Sequence, residues 1–338
     1  MNGGRFYIDG KDAYDEYRVF LEEGSAASLL QYPPLKEVES TDWPEEDGVE
    51  ADLSEPRLDT REVTLRFVAH DTYGRQGEFG GFVAALSDMG YHDFRFPFME
   101  RTFRLRLTTQ NAMEHLTRAD LFTLRFADDF PPCCDREDGA GGTVPYTRAE
   151  PESTADPCDD YELDGRRLSD YGVRVLEGSL AGVLKSPAVK QNLLTQPEGR
   201  NGAVYDGEEV RFKSKEVRLD CLMRARDFGE FWKSYEAFLY DLARPDGVWD
   251  RTAGDIAMPG ERLLYVDALS LESPCHYKGC STRDFSLMPG SIWWRFTLTL
   301  AFTSFRVGAD EYLLAAERDP FIVTEDGETF IDMGRERT

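Results

Sequence analysis

Residues 7–36 read YIDGKDAYDEYRVFLEEGSAASLLQYPPLK, and residues 161–190 read YELDGRRLSDYGVRVLEGSLAGVLKSPAVK. Both stretches open with a tyrosine and an Asp-Gly turn, Asp9-Gly10 and Asp164-Gly165. An acidic-aromatic step follows (Asp15 to Tyr17, Asp170-Tyr171), then Arg18-Val19 and Arg174-Val175, then Gly24-Ser25 and Gly178-Ser179. A proline closes each. A self-similarity held at a fixed offset, here about 154 residues, is the mark of a repeated structural unit.

The register continues outward. Asp47-Gly48 aligns with Asn201-Gly202, and Arg61 to Phe67 (REVTLRF) aligns with Lys215 to Cys221 (KEVRLDC). Phe79-Gly80-Gly81-Phe82 matches Phe228-Gly229-Glu230-Phe231. Strand-like runs LFTLRFADDF and FTLTLAFTSF end the two copies.

Local patterning gives the class of each element. In Glu62 to Phe67 the apolar residues fall on every second position, which places them on one face of a sheet. Arg101 to Leu107 alternates in the same way. Trp294, Phe296, Leu298, Leu300 and Phe302 also share a face, in a run long and aromatic enough to predict a central strand. Residues 79–89 and 228–242 instead space their apolar residues at helical intervals, with one stripe each. The expected fold is mainly β, with a flanking helix per domain: a β-sandwich or barrel in two tandem similar copies.

The expected organisation is a first β domain over residues 1–130 and an acidic Pro/Gly linker over 131–160. A second, similar β domain covers 161–306, and an extension follows over 307–338. The extension reads as a short helix at 309–318 and a hairpin around Asp326-Gly327. Residues 37–59 are densely acidic and read as a solvated loop. The sharper alternative is an arm that orders against a neighbouring subunit with Trp43 as its anchor. The paired loop positions Trp43, Asp47, Gly48, Asn201 and Gly202 are the candidate assembly contacts.

Bulk properties narrow the function. At 338 residues the chain exceeds one ordinary core, and 41% hydrophobic residues suffice to bury two. The net charge of -25 disfavours binding to phosphate backbones through charge. No apolar stretch approaches the ~18 residues needed to span a membrane, and the N-terminus lacks the pattern of a signal peptide. Cytoplasmic synthesis is the expectation. Six cysteines are too sparse for a disulfide framework and read mostly as reduced thiols, with Cys133 and Cys134 in an exposed linker.

Chemistry is hard to find. The four histidines are scattered, and neither HExxH nor GxSxG occurs. Cys275, His276 and Cys280 form a CHxxxC cluster that offers at most three zinc ligands, and an ordinary loop carrying two thiols is the preferred reading. No catalytic, cofactor or metal residue is assigned, and no enzyme activity is expected.

The opening of each copy resembles the N-terminal domain of phage distal tail proteins. The shared features are the turn-bearing start, the D/Y-Y/G-x-V strand, the Gly-Ser step, the proline-bearing extended segment and the (R/K)-E-V-x-L strand at Arg61 to Leu65 and Lys215 to Leu219. The resemblance spans most of residues 5–130 and 160–305. It implies a tail-tube-like β fold and a structural role in the virion tail. The chain would form a ring that joins the tail tube to the tail tip or baseplate, with DNA passing through the lumen unbound. Two copies per chain depart from the family pattern, in which the second domain differs. Six chains would then give a pseudo-twelvefold ring, three a pseudo-sixfold ring, or the copies would stack in two layers. The alternative is a carbohydrate-binding or adhesin-type tandem β-sandwich presenting Trp43, Trp249 or Tyr277; a hydrolase on a β scaffold is the weakest reading.

Overall fold

A computed structural model of the chain describes residues 4–70, 79–88, 90–133, 136–137, 143–144, 146–191, 194–205, 210–246, 249–250, 255–256, 260–303, 321–323 and 330–332. In the first half β1 (Tyr7–Ile8) and β2 (Lys11–Asp12) form a hairpin, followed by α1 (Ala13–Tyr17) and β3 (Val19–Leu21). A short hairpin of β4 (Ser40–Thr41) and β5 (Glu50–Ala51) precedes β6 (Arg61–His70) and α2 (Phe79–Ser87). Then come β7 (His92–Phe96), the long β8 (Arg101–Leu116) and β9 (Ala119–Asp128). A two-residue ladder joins β10 (Arg136–Glu137) to β11 (Thr143–Val144).

The second half repeats the plan. It runs through β12 (Tyr161–Leu163), β13 (Arg166–Arg167), β14 (Val173–Val175), α3 (Ser179–Leu184) and a small hairpin of β15 (Leu194–Thr195) and β16 (Val204–Tyr205). It continues with β17 (Lys215–Ala225), α4 (Phe228–Ala243), the β18 (Trp249–Asp250) and β19 (Asp255–Ile256) pair, β20 (Arg262–Val266), β21 (Leu271–Met288) and β22 (Ser291–Phe302). Beyond it, β23 (Phe321–Val323) pairs antiparallel with β24 (Phe330–Asp332). The helix expected at 309–318 and the turn at Asp326-Gly327 lie outside the described residues.

Each half builds one seven-stranded antiparallel sheet. The orders are β2-β1-β7-β8-β9-β6-β3 and β13-β12-β20-β21-β22-β17-β14, so every strand holds the same place in both. The sheets curl into half-barrels, within the expected mainly β, sandwich-or-barrel class. The curl is carried by β8 and β21. Residues 101–105 of β8 pair with β7 and residues 106–116 with β9. In the same way β21 pairs with β20 through residues 271–275 and with β22 through residues 275–288. A bulge sits at Leu107/Thr109 in one and at Tyr277/Gly279 in the other, where one extra residue bends the strand and sharpens its twist.

The helix fills the hollow of each sheet. Phe82 of α2 is fully buried and meets Phe6, Phe67 and Phe122. On α4, Phe231, Tyr235, Phe238, Leu239 and Leu242 are buried, a spacing that puts them on one helix face. Asp227 caps α4 by accepting the Glu230 N–H at 2.9 Å. The alternation read in β6 is realised, with Val63, Leu65 and Phe67 inside, and β22 buries its whole Trp294-to-Phe302 face.

Two details of the repeat are chemical. In the Asp-Gly turns both residues have positive φ, 49° and 82° for Asp9 and Gly10, 54° and 76° for Asp164 and Gly165, the combination a two-residue hairpin needs. The aspartates also staple the hairpin to the next strand. Asp9 accepts the Asp93 N–H at 2.9 Å and meets His92 Nδ1 at 2.7 Å, while Asp164 accepts the Leu263 N–H at 2.8 Å and an Arg262 N–H at 2.8 Å. At the base of each sheet a buried cation ties down the turn after β3 or β14. Arg61 donates to the Leu29 and Gln31 carbonyls at 2.8 and 3.0 Å and pairs with Asp128; Lys215 donates to the Val183 carbonyl.

The 131–160 stretch reads as a free linker, yet residues 146–160 lie along α4. Arg148 donates to Asp241 at 2.8 and 2.6 Å, and the Thr154 N–H to Glu230 at 2.7 Å. Its polar side chains satisfy two carboxylates that α4 buries, a function composition does not show.

Candidate functional site

An extended polar and aromatic contact lies where the first sheet's loop meets the second sheet. The short 3-10 turn Ser25–Leu30 ends at Gln31, and Pro33-Pro34 keep the chain extended after it. Tyr32 then inserts its fully buried ring into the second half. It lies 4.5 Å from the ring of Tyr235 and 5.1 Å from Trp294, edge-on to the latter. Its hydroxyl donates to the Tyr235 carbonyl at 2.8 Å, and Tyr235 donates to the Leu30 carbonyl at 3.2 Å. Burial pushes the Tyr32 hydroxyl pKa well up, so it stays a neutral donor.

The backbone of the same segment joins the open outer edge of β21. The Leu35 N–H donates to the Lys278 carbonyl at 3.1 Å, and the Tyr277 hydroxyl to the Pro33 carbonyl at 2.8 Å. Lys278 is the bulge residue, so its carbonyl faces away from β22. This is strand addition to a sheet edge, where main-chain bonds supply attachment and side chains specificity.

The acidic hairpin β4–β5 continues the contact. The buried Lys190 donates to the Trp43 carbonyl at 2.7 Å and pairs with Asp42. Asp47 accepts the Phe212 N–H at 2.7 Å, the Gly48 N–H donates to the Phe212 carbonyl at 2.9 Å, and the Val49 N–H reaches the Thr303 carbonyl at 3.2 Å. Leu53 is buried against Gly260, whose φ is +77° and where a Cβ would overlap the Leu53 backbone. On the other flank the Trp232 indole donates to the Met99 carbonyl at 2.9 Å, and Arg101 pairs with Glu236 at 2.8 Å.

These contacts locate the sequence-derived candidates. Asp47 and Gly48 sit in the junction. Trp43 contributes only its carbonyl: its side chain is 48% exposed and its indole N–H donates to Glu50 at 3.0 Å. Asn201 and Gly202 occupy the equivalent turn of the second half and are exposed. The acidic 37–59 stretch is ordered against a protein surface, and that surface belongs to the same chain. Tyr32, Lys190 and Tyr277 carry the junction without being singled out by the sequence. One signal was available: Tyr32 stands opposite Ser186 in the alignment of copies, a large aromatic where the repeat has a small polar residue.

Tyr277 is fully buried, which removes it from the exposed aromatics a sugar platform needs. Trp249 lies outside the residues whose side chains are described. Cys275, His276 and Cys280 lie within strand β21 and not in a loop. Burial pushes the Cys280 thiol up to about 12 and raises that of Cys275 further, so neither is a thiolate at neutral pH. Among the described residues no three His, Cys, Asp or Glu side chains are grouped to hold a metal. No helix among them is long and apolar enough to cross a membrane.

No protein-family model and no curated protein matches the chain. Among solved structures it is similar to the Dit protein of phage SPP1, described as a paradigm of the hub adsorption apparatus in phages infecting Gram-positive bacteria. The TM-score is 0.30 at 10% identity, over 88% of this chain and 98% of that one.

Proposed function

We propose that the chain is a structural component of a phage tail, a tandem duplication of one tail-tube-like unit that assembles into a ring at the hub between tail tube and tail tip. The observation that carries this reading is the seating of the first unit's loop on the second unit's sheet edge, between two sheets of the same strand order. Such a contact is heterologous: the two surfaces that meet are different. Contacts of that kind generate rings when the rotation closes. The sequence resemblance in the opening of each copy supports the tail assignment.

The partners are other copies of the chain, as a trimer or hexamer, together with tail-tube and tail-tip proteins. The net charge of -25 suits a lumen through which DNA passes without sticking. The role is architectural, the chain is made in the host cytoplasm, and its destination is the virion.

Negative-stain images of the purified chain, alone and mixed with the tail-tube protein, test this. A ring with a central hole, of three or six chains by mass, is the expected result. A chain that stays monomeric at every concentration and binds neither tail-tube nor tail-tip protein overturns it. Binding on a glycan array would turn the reading toward the adhesin alternative.

A further inference from the structure

The two halves make the same local bridge, and only one copy of each of its faces is used. Leu35 lies opposite Leu58, and Val189 opposite Phe212. The flanking bonds are Lys36 N–H to Arg57 and Asp59 N–H to Pro34 in one half, both at 2.8 Å. In the other they are Lys190 N–H to Arg211 at 2.7 Å and Lys213 N–H to Ala188 at 2.8 Å. This pattern turns the N–H and C=O of the four bridge residues outward. Leu35 spends its N–H on Lys278, and Phe212 spends both groups on Asp47 and Gly48. The outward groups of Val189 and Leu58 have no hydrogen-bond partner among the described residues.

Burial follows the same division. Leu30 ends the short turn of the first half, accepts a hydrogen bond from Tyr235 of the second half and is 0% exposed; Leu184 ends the matching α3 and is 58% exposed. Val189 and Val210 are exposed beside it. On the receiving side, Lys190 is buried under the first loop, while its counterpart Lys36 is exposed. Among the described residues no strand pairs with the outer edge of β8 beyond residue 105, and its bulge residue Thr108 stands in the place of Lys278.

We infer that residues 185–191, 194–205 and 210–213 of one chain dock on the first sheet of a second copy, repeating between chains the contact each chain makes within itself. Val189 donates to the Thr108 carbonyl of the second copy, and Asn201 and Gly202 pair with its Leu58. The inference deepens the ring reading above and rests on it. The interchain contact is the weaker of the two. Ser186 replaces the Tyr32 plug and Gln196 replaces Asp42, so assembly depends on concentration while the internal junction does not.

A photo-crosslinking residue placed at Val189 of the full chain, mixed with isotopically heavy chain lacking it, reads the contact directly. The expected product joins position 189 to heavy peptides containing Leu58 or Thr108. Gly202 has φ +84° and open space around it, and proline is held near −65°, so Gly202→Pro removes the N–H and forces the exposed turn out of its geometry. That variant is expected to weaken self-association about tenfold or more while lowering the melting temperature only slightly, because the strained turn is exposed. Val210→Asp, on the same exposed face, is a second variant with the same expectation. If rings form but crosslinks fall elsewhere and both variants assemble normally, this interface is wrong and the ring reading survives. If the wild-type chain never self-associates, both fall.

Discussion

Tyr32 and Tyr235 exchange hydrogen bonds across 203 residues of sequence: Tyr32 donates to the carbonyl of Tyr235, and Tyr235 donates to the carbonyl of Leu30, two residues before Tyr32. Their rings are 4.5 Å apart, so each side chain fixes the other's backbone and packs on its ring. Removing Tyr32 therefore costs packing and polar satisfaction together. Tyr32→Ala is expected to lower stability by about 3–5 kcal/mol. Tyr32→Phe keeps the ring and removes one hydrogen bond to a carbonyl that still accepts within α4, a loss of about 0.5–1.5 kcal/mol. Guanidinium unfolding curves monitored by tryptophan fluorescence check both, and equal losses would show that the ring contributes nothing.

Gly260 and Gly290 separate backbone strain from close approach. Both have positive φ, +77° and +75°, but only Gly260 faces a neighbour, the backbone of Leu53. Gly290→Ala is expected to cost about 1 kcal/mol for the left-handed conformation alone. Gly260→Ala should cost at least twice that, because the Leu53 segment must also move. Thermal unfolding of the two variants side by side decides it.

His276 should make the fold acid-sensitive. Burial, with Lys278 adding to it, pulls the imidazole pKa down to about 4, and its Nδ1 is buried without a hydrogen-bond partner among the described residues. The unfolded chain, near 6.5, binds the proton more readily. Stability contributed by the neutral ring is thus complete above about pH 6.5 and is lost as pH falls toward 4, by about 2–3 kcal/mol at most. Unfolding midpoints measured from pH 7.5 to 4 should fall less steeply for His276→Gln than for the wild type; parallel curves would exclude the effect.

The five described thiols should divide into two groups. Cys221, Cys275 and Cys280 are buried with their pKa values raised by burial, whereas Cys133 and Cys158 are part-exposed. Alkylation at pH 8 followed by peptide mass spectrometry is expected to modify Cys133 and Cys158 well before the other three. Added zinc should leave the melting temperature unchanged. Rapid modification of Cys280, or a zinc-dependent rise in melting temperature, would contradict the buried-strand placement.

Much of the fold was legible because it is local. Alternation marked β6 and β22, helical spacing marked α2 and α4, and Asp-Gly marked the hairpins at Asp9 and Asp164. The fixed offset between copies predicted a shared plan, and the strand orders agree with it. The choice between sandwich and barrel was not legible, because a curl depends on where β8 and β21 change partners. The junction was not legible either. Residues 37–59 carry an acidic composition suited to solvent, and they are held by main-chain groups that composition cannot register. Tyr32 reads as an aromatic in a proline-bearing connector, since its partners Tyr235, Trp294 and Tyr277 are distant in sequence. Trp43 drew attention by size, yet its ring is the part that the junction leaves out.

The distance between Tyr32 and its seat also has a temporal side. Chain growth at roughly 5–20 residues per second leaves about 10–40 s between synthesis of Tyr32 and of Tyr235. Throughout that interval Tyr32 lacks the Tyr235 and Trp294 rings that cover it. The amino-terminal sheet emerges from the ribosome with an adhesive strip waiting for its cover. An unrelated nascent chain, or a neighbouring copy further along in translation, competes for that strip until the carboxy-terminal sheet arrives.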